Sequence, residues 1–402
     1  MAQKIIKAAD RTENIKYAIR DVLLIVDEVK KSGKEMLYLN IGDPNIYDFE
    51  TPRHLIEATY KAMLDNHNGY SPSSGTKEAL DAIGVEAERK GIKNIQDMFV
   101  TTGASEAIDI CLTSLVNAGE NILTPTPGYP LYTAIQSKLQ MEPNPYYLSE
   151  ENGWQPDIDD IKSKINEKTK AIIVINPNNP TGSNAKKETL QQIIDLALEH
   201  NLVIFADEIY DKLLMDGEEH IALASLNSEV PIITFGGLSK NYMAPGWRIG
   251  WGIVSGNRDI LKDYIEAINK ILRSRLSANH PEMYAIPPAL LGDQTHIAES
   301  MEKLTRRRNM TVEMLNAIDG ISLVKPEGSF YAFPKLEIEH DDMHFVSELI
   351  KETGVVVVPG SGFGQTPGTK HFRLVFLPPD DVLKKAYERI GEFFISYKKK
   401  YE

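Results

Sequence analysis

The sequence predicts an α/β protein in which a large, mainly parallel sheet is followed by a smaller α+β domain. Between about Asp97 and Ser255, seven short apolar or β-branched runs alternate with stretches of helical period, a pattern typical of a parallel sheet covered on both faces. From about Pro281, a long helix, several short strands and a closing helix follow instead. A chain of 402 residues also exceeds the size at which one core stops growing, so we expect two domains.

The elements follow one another along the chain without an internal repeat. The first forty residues hold an amphipathic helix, with Ile15, Ala18, Ile19, Leu23 and Val26 at helical spacing, and then the short strand "MLYLNIG". The predicted strands of the large sheet are "MFVTT", "NILT", "PYYL", "AIIVIN", "LVIFAD", "IITFGG" and "IGWGIV". The predicted strands of the last part are "ISLV", "SFYAFP", "VVVVP" and "HFRLVF".

Composition narrows the classes of function. With 42% hydrophobic and 25% charged residues, the chain has the profile of an ordinary soluble globular protein. Its net charge of -13 argues against binding nucleic acid or an anionic membrane surface. The start lacks a signal-peptide pattern, and no run approaches the roughly 18 apolar residues of a membrane span. Cys111 is the single cysteine and is expected to fill a helix core, so we predict a cytoplasmic protein without internal disulfides.

The residues directly after each predicted strand are the first candidates for a ligand site, because ligands of open α/β sheets bind beyond the carboxyl ends of the strands. After "MFVTT" come Gly103, Ala104 and Ser105, a small-residue turn that opens a helix. Free backbone N–H groups and a hydroxyl there could cradle an anion. The alternative is a capped helix with Ser105 as its N-cap.

Three further strand ends carry polar residues. The run "NPNNPTG" from Asn176 follows "AIIVI", and its prolines would present an Asn side chain rigidly. Asp207 and Tyr210 follow "LVIFA", where a buried carboxylate is costly unless it is paired. Lys240 follows "IITFGG", and Arg248 comes eight residues later. Lys240 could be a solvated loop residue or a desolvated amine nucleophile.

Taken in this order, these elements resemble the class I/II aminotransferases, the fold type I enzymes that use pyridoxal phosphate. The likeness runs from about Gly33 to Phe376, and "GLSK" to "WRIG" is close to the lysine signature of that family. The stretches "NIGDP", "GWQPDIDDI", "VINPNNPTG" and "HNLVIFADEIYDKLL" are most similar to its alanine (glutamate–pyruvate) branch. Gly237, where many relatives place a serine, and Met243, where they place a smaller residue, depart from the pattern.

The resemblance implies a fold and its limits in the chain. A large domain with a seven-stranded, mainly parallel sheet would hold the cofactor, and a smaller α+β domain would be formed by the two termini. The implied boundaries are 1–45 for an N-terminal arm and part of the small domain, 46–280 for the large domain, and 281–402 for the rest of the small domain.

The resemblance also implies how pyridoxal phosphate would be held. Lys240 would bind it covalently and move the proton at the substrate α-carbon, and Asp207 would keep its ring nitrogen protonated. Tyr210 and Asn179 would hydrogen-bond its phenolic oxygen, and Tyr129 would stack on its ring.

A second set of residues would hold the cofactor phosphate: Gly103, Ala104, Ser105, Ser239 and Arg248, whose planar fork suits a phosphate. Tyr70, in "NGYSPSSG", resembles a tyrosine that reaches this phosphate from the neighbouring subunit. The resemblance therefore implies a homodimer with shared active sites.

Substrate recognition completes the implied site. Arg373 would bind the α-carboxylate of every substrate, with the backbone of Gly42 opposite it and Asn179 beside it. Arg275, in "LRSRLSANHP", is the candidate for a second carboxylate such as that of glutamate. The histidines show no metal-ligand spacing, and no metal is expected.

The implied reaction moves an amino group between alanine and 2-oxoglutarate, giving pyruvate and glutamate in a ping-pong sequence. An aspartate or broad-specificity aminotransferase is the main alternative. A pyridoxal-phosphate lyase and a non-enzymatic regulator that senses a ligand are the others.

Overall fold

The computed structural model describes residues 6–13, 15 and 18–401. The strands of this part are β1 Leu37–Tyr38, β2 Ile95–Thr102, β3 Asn121–Thr126, β4 Glu142–Ser149, β5 Gln155–Pro156, β6 Thr169–Ile175, β7 Val203–Asp207, β8 Ile232–Gly237, β9 Ile249–Ser255, β10 Ile321–Ser322, β11 Tyr331–Ala332, β12 Lys335–Leu336, β13 Val355–Val356, β14 Val358–Pro359 and β15 Phe372–Val375. Its α-helices are α1 Ala18–Lys31, α2 Arg53–Leu64, α3 Lys77–Arg89, α4 Ala104–Leu115, α5 Pro130–Lys138, α6 Ile158–Lys164, α7 Lys187–His200, α8 Arg258–Ser274, α9 His280–Met283, α10 Ile286–Leu291, α11 Thr295–Asn316, α12 Asp342–Thr353 and α13 Asp380–Tyr401. No helix in the described ranges is long and apolar enough to cross a bilayer.

The large sheet has the strand order β2-β9-β8-β7-β6-β3-β4-β5. The central pairs β3–β4, β3–β6, β6–β7 and β7–β8 are parallel, whereas β9 runs antiparallel to both of its neighbours. Seven of these strands are the predicted ones, and the mainly parallel α/β class is confirmed. The eighth strand, β5, is new to the prediction; it holds only two residues and pairs antiparallel with the end of β4.

Apolar side chains cover both faces of this sheet, as the nearly continuous hydrophobic strands require. One face packs on a cluster that includes Ile172, Ile204 and Leu190, and the other on a cluster that includes Ile173, Phe205 and Cys111. Cys111 is fully buried in α4, which confirms its predicted role in a helix core.

The two ends of the chain form a second, smaller body. Val22 and Val26 of α1 share a buried cluster with Phe345 of α12 and Phe393 of α13. Strand β1 pairs with β13 in parallel, and β11, β15 and β14 form a three-stranded antiparallel sheet. A small α+β unit built from both termini is therefore confirmed.

The predicted domain boundaries remain predictions, and residues 1–5, 14, 16 and 17 of the first segment lie outside the described residues. Met283, Ile286 and Leu290 pack in a cluster on the large sheet, not in the cluster of the small unit. This packing favours a boundary after Leu291 over the predicted one at residue 280.

Candidate active site

The carboxyl ends of the central strands meet at one edge of the large sheet and bring the candidate residues together. Ile175, Asp207 and Phe235 lie side by side at the ends of β6, β7 and β8. A cleft opens at this edge, and the space in it, including the part open to solvent, is about 680 Å³. Nine predicted site residues are among those that line it: Ala104, Ser105, Tyr129, Asn179, Asp207, Tyr210, Ser239, Lys240 and Arg248.

Asp207 is a buried carboxyl group at the floor of the cleft. The Tyr132 hydroxyl donates a hydrogen bond to its Oδ2 at 3.0 Å, and Oδ1 has no hydrogen-bond partner among the described residues. Burial raises the pKa of Asp207 to about 6, and the hydrogen bond from Tyr132 opposes part of this rise. A buried acceptor oxygen of this kind suits a ligand that offers a cationic N–H group.

Lys240 lies in the same cleft, just beyond β8. Its Nζ donates to the backbone oxygen of Gly42 at 2.8 Å. Burial lowers the pKa of Lys240 to about 8; Asp43 opposes this change, and the positive charges of Arg248 and Arg373 add to it. The neutral, nucleophilic amine is therefore far more accessible near pH 7 than that of a surface lysine.

An anion cradle lies at the N-terminus of α4. Gly103 precedes this helix with φ 77° and ψ 159°, a conformation that essentially only glycine adopts. Arg248 donates from Nη2 to Ser105 Oγ at 3.0 Å and from Nη1 to the backbone oxygen of Pro245 at 3.0 Å. A Cβ on Gly103 would lie 2.7 Å from Arg248 Cζ, so the glycine makes room for the guanidinium. With the hydroxyl of Ser239 nearby, these groups suit a phosphate dianion.

Of the two departures from the sequence pattern, Gly237 has a local explanation and Met243 has none. At Gly237 a Cβ would lie 2.8 Å from the backbone oxygen of Ile249, so this backbone leaves no space for a side chain. Met243 is buried in the cluster of the small unit with φ 47°, and its backbone oxygen accepts a hydrogen bond from Thr51.

Arg373 lies behind the cleft on β15. It is almost fully buried, and it donates to the backbone oxygen of Asn40, two residues before Gly42. Its guanidinium lies 4.8 Å from the ring centres of both Tyr331 and Phe363, so two aromatic faces hold it flat. Arg373 and Gly42 do not line the cleft directly, but both lie at its small-unit side.

Two further predicted residues, Tyr70 and Arg275, also lie outside the cleft of their own chain. The side chain of Tyr70 is 82% exposed in the segment between α2 and α3. Arg275 directs its guanidinium to the backbone oxygens of Ser73 and Val100, at 3.3 and 2.7 Å, with Glu106 at 3.7 Å. The predicted roles of Tyr70 in a neighbouring subunit and of Arg275 toward a second carboxylate stay predictions.

Two tyrosines of the site were not predicted from the sequence. Tyr132 hydrogen-bonds Asp207 and stands three residues after Tyr129, one helical turn along α5. Tyr331 lines the cleft from β11, and its hydroxyl lies 3.0 Å from that of Tyr210. The helical spacing could have identified Tyr132, whereas no local pattern points to Tyr331.

Comparisons with known proteins agree with this geometry. The profile of the family described as "Aminotransferase class I and II" matches residues 34–390. The glutamate-pyruvate aminotransferase AlaA of Escherichia coli (strain K12) is 37% identical over 402 residues, which cover 98% of each chain. An alanine aminotransferase of Mycobacterium tuberculosis (strain ATCC 25618 / H37Rv) is 38% identical over 406 residues, which cover 98% of this chain and 94% of the relative.

A solved structure extends the agreement to three dimensions. The alanine aminotransferase from Pyrococcus furiosus superposes with a TM-score of 0.94 and 41% identity, covering 97% of this chain and 100% of that one. The predicted likeness to fold type I enzymes, and to the alanine branch among them, is confirmed. Cleft, cradle and comparisons lead to one conclusion: the chain belongs to the class I and II aminotransferase family.

Proposed function

We propose that this enzyme uses pyridoxal 5'-phosphate to move the amino group between alanine and 2-oxoglutarate, giving pyruvate and glutamate. The observation that carries the proposal is a single cleft lined by a buried acid, a buried amine and an arginine-backed anion cradle: Asp207, Lys240 and Arg248. Alanine and glutamate are favoured as substrates because similar proteins are named alanine and glutamate-pyruvate aminotransferases.

The residues present fit this cofactor. The cradle of Gly103, Ser105 and Arg248 suits its phosphate, and the open Oδ1 of Asp207 suits its protonated ring nitrogen. Tyr129 lies at the start of α5, where its ring could cover the pyridine. Bound pyridoxal phosphate supplies an electron-withdrawing ring that stabilises negative charge at the substrate α-carbon.

Around that ring, the protein supplies proton transfer and hydrogen bonds. Lys240 would remove and return the proton of the substrate α-carbon, for which an amine with a pKa of about 8 is well matched to neutral pH. Tyr210 and Asn179 would direct hydrogen-bonding groups at the phenolic oxygen. Both side chains are buried in the wall of the cleft.

Recognition of the substrate would begin with its α-carboxylate. Arg373 offers a planar guanidinium that two aromatic rings and Asn40 hold in place, the arrangement needed for a bidentate contact. Every amino acid has this carboxylate, so Arg373 would set affinity for the class and not the choice among its members.

We also propose that the enzyme works as a homodimer with shared active sites. Ile56, Tyr60 and Leu64 recur every four residues along α2 and are 48%, 61% and 66% exposed, an apolar face suited to a second copy of the chain. Tyr70 lies close after this helix, and Arg275 bonds to Ser73 in the same segment. The exposed Tyr70 could therefore reach the cleft of a neighbouring subunit, while Arg275 would hold the segment that carries it.

Mixing two inactive variants tests the shared site. Lys240→Ala removes the amine of one cleft, and Tyr70→Ala removes the residue expected to come from the other subunit. If the site is shared, hybrid dimers contain one cleft with both groups intact, and activity should return after subunit exchange. No recovery, with exchange shown independently by mass spectrometry of labelled subunits, would refute the shared site.

The proposed reaction has a direct test. The purified protein, mixed with pyridoxal phosphate and then freed of unbound cofactor, should keep a visible absorbance band, and alanine should shift that band and yield one pyruvate per amine transferred. A panel of amino acids with 2-oxoglutarate separates the alternatives, because a tenfold preference for aspartate would replace the alanine assignment. Ammonia or carbon dioxide as product would indicate a lyase or decarboxylase, and a band without turnover would indicate a ligand sensor.

The predicted cytoplasmic location and the absence of a nucleic-acid partner stay predictions.

A further inference from the structure

Tyr331 occupies a position between the two halves of the site. It lies on β11, whose partner strand β15 carries Arg373, and Tyr331 is opposite Val375 in that pairing. Its side chain is 3% exposed and lines the cleft beside Lys240 and Tyr210. One residue of the small unit thus lies against groups contributed by the large sheet.

The hydroxyl of Tyr331 faces the cofactor side. It lies 3.0 Å from the hydroxyl of Tyr210, and the two rings meet edge to face with centres 5.7 Å apart. Either oxygen can donate to the other. When Tyr331 donates, the Tyr210 hydrogen remains available for a ligand oxygen, and the polarised Tyr210 hydroxyl becomes a stronger donor.

The ring of Tyr331 faces the substrate side. The guanidinium carbon of Arg373 lies 4.8 Å from the centre of this ring, within range of a cation–π contact. The backbone of Gly42 closes the remaining side: a Cβ there would lie 3.0 Å from Tyr331 Cζ. Gly42 must lack a side chain because the phenol of Tyr331 occupies that space.

We propose that Tyr331 is a positioning residue that joins the carboxylate-binding arginine to the cofactor-binding tyrosine, its ring fixing Arg373 and its hydroxyl orienting Tyr210. This inference rests on the proposed function, because it assigns Tyr331 a role toward the same cofactor and substrates. The ring and the hydroxyl of Tyr331 have different roles in this proposal, so two substitutions can distinguish their effects.

Tyr331→Phe keeps the ring and removes only the hydroxyl. The pH midpoint of the absorbance band of the holoenzyme should rise by about half a pH unit or more, because Tyr210 becomes a weaker donor to the phenolic oxygen. KM for amino acids should stay within about twofold, because the ring still supports Arg373. The matched control is Tyr387→Phe, which removes another buried hydroxyl, bonded to Thr311 at 2.7 Å in the small unit, and should leave the midpoint unchanged.

Tyr331→Leu removes the ring as well. KM for alanine and glutamate should then rise in parallel, by roughly tenfold, because Arg373 loses one of its two aromatic supports. A midpoint equal to that of the parent in Tyr331→Phe, or an unchanged KM in folded Tyr331→Leu, would overturn the proposal while the proposed function stands. If Tyr331→Leu does not fold, the titration of Tyr331→Phe decides alone. A parent protein without any cofactor band would instead refute the proposed function, and the role of Tyr331 with it.

Discussion

Adding one methyl group at Gly103 is expected to weaken binding of the cofactor phosphate, although no side chain predicted to bind the phosphate is replaced. In Gly103→Ala the new Cβ would lie 2.7 Å from Arg248 Cζ, so the guanidinium must move. The movement breaks the 3.0 Å bond from Arg248 to Ser105 and displaces a cation from the cradle. The displaced guanidinium would lose a hydrogen bond to the phosphate. Losing a hydrogen bond to a charged group costs about 1.5 to 3 kcal/mol, which corresponds to a roughly 10- to 150-fold higher Kd for pyridoxal phosphate.

Gly119→Ala is the matched control, because Gly119 has φ 80° but no atom within 4 Å of its added Cβ. Both variants introduce backbone strain of about 1 to 3 kcal/mol, which lowers Tm but cancels in the affinity, since it is present with and without ligand. Titrating the cofactor-free proteins with pyridoxal phosphate, followed by quenching of tryptophan fluorescence, measures Kd directly. If Gly103→Ala binds as tightly as Gly119→Ala, the close contact with Arg248 has no functional meaning and the reasoning is wrong.

Four further predictions concern the charged groups. Lys240→Met should abolish turnover. Without cofactor the variant should also have a higher Tm than the parent at pH 7, because burial lowers the pKa of Lys240 to about 8 and penalises its protonated form. This difference in Tm should narrow as the pH rises from about 8 toward the ordinary lysine pKa. Asp207→Asn should lower kcat by several orders of magnitude with cofactor still bound, since an amide cannot hold a cationic ring nitrogen; near-normal rates would show that Asp207 does another job. Arg373→Lys should raise KM for all amino acids together, by a factor equivalent to about 2 kcal/mol of binding free energy. A higher KM for one substrate alone would place Arg373 beside the substrate side chain. Arg275→Ala should slow the glutamate half-reaction more than the alanine half-reaction in single-turnover measurements. The control is Arg273→Ala, because Arg273 lies on the surface, where it pairs with Glu266. Equal slowing of both half-reactions would show that Arg275 does not select the substrate.

Sequence patterns located most of the site because its residues follow strands. Asp207 is the last residue of β7 and Lys240 lies three residues beyond the end of β8, and parallel strands bring such positions to one edge of a sheet. Gly103 and Ser105 follow the same rule at the start of α4. The roles of these residues came from the family resemblance, since a strand end alone does not distinguish a nucleophilic lysine from a solvated one.

The features that escaped prediction depend on packing between distant segments. Tyr331 reaches the cleft because β11 pairs with β15. Both strands are far along the chain from the strands of the large sheet. The two-residue strand β5 is too short to show a period. The sequence placed residues 281–291 in the smaller domain, but Ile286 and Leu290 of α10 pack on the core of the large sheet, a contact that no local pattern shows.

The titration of the two central groups explains why this cleft suits a ligand that changes charge during a reaction. Burial raises the pKa of Asp207 to about 6 and lowers the pKa of Lys240 to about 8. The two pKa values, which ordinarily differ by more than six units, therefore lie close together on either side of neutrality. Both groups remain mainly charged at pH 7, yet each can change its protonation state at a cost of only about 1 to 2 kcal/mol. A buried carboxylate oxygen without a partner is unfavourable until a cationic group meets it, so binding of that group stabilises the fold as it completes the site. The residues that lower the stability of the unliganded protein are therefore those that a bound cofactor would use.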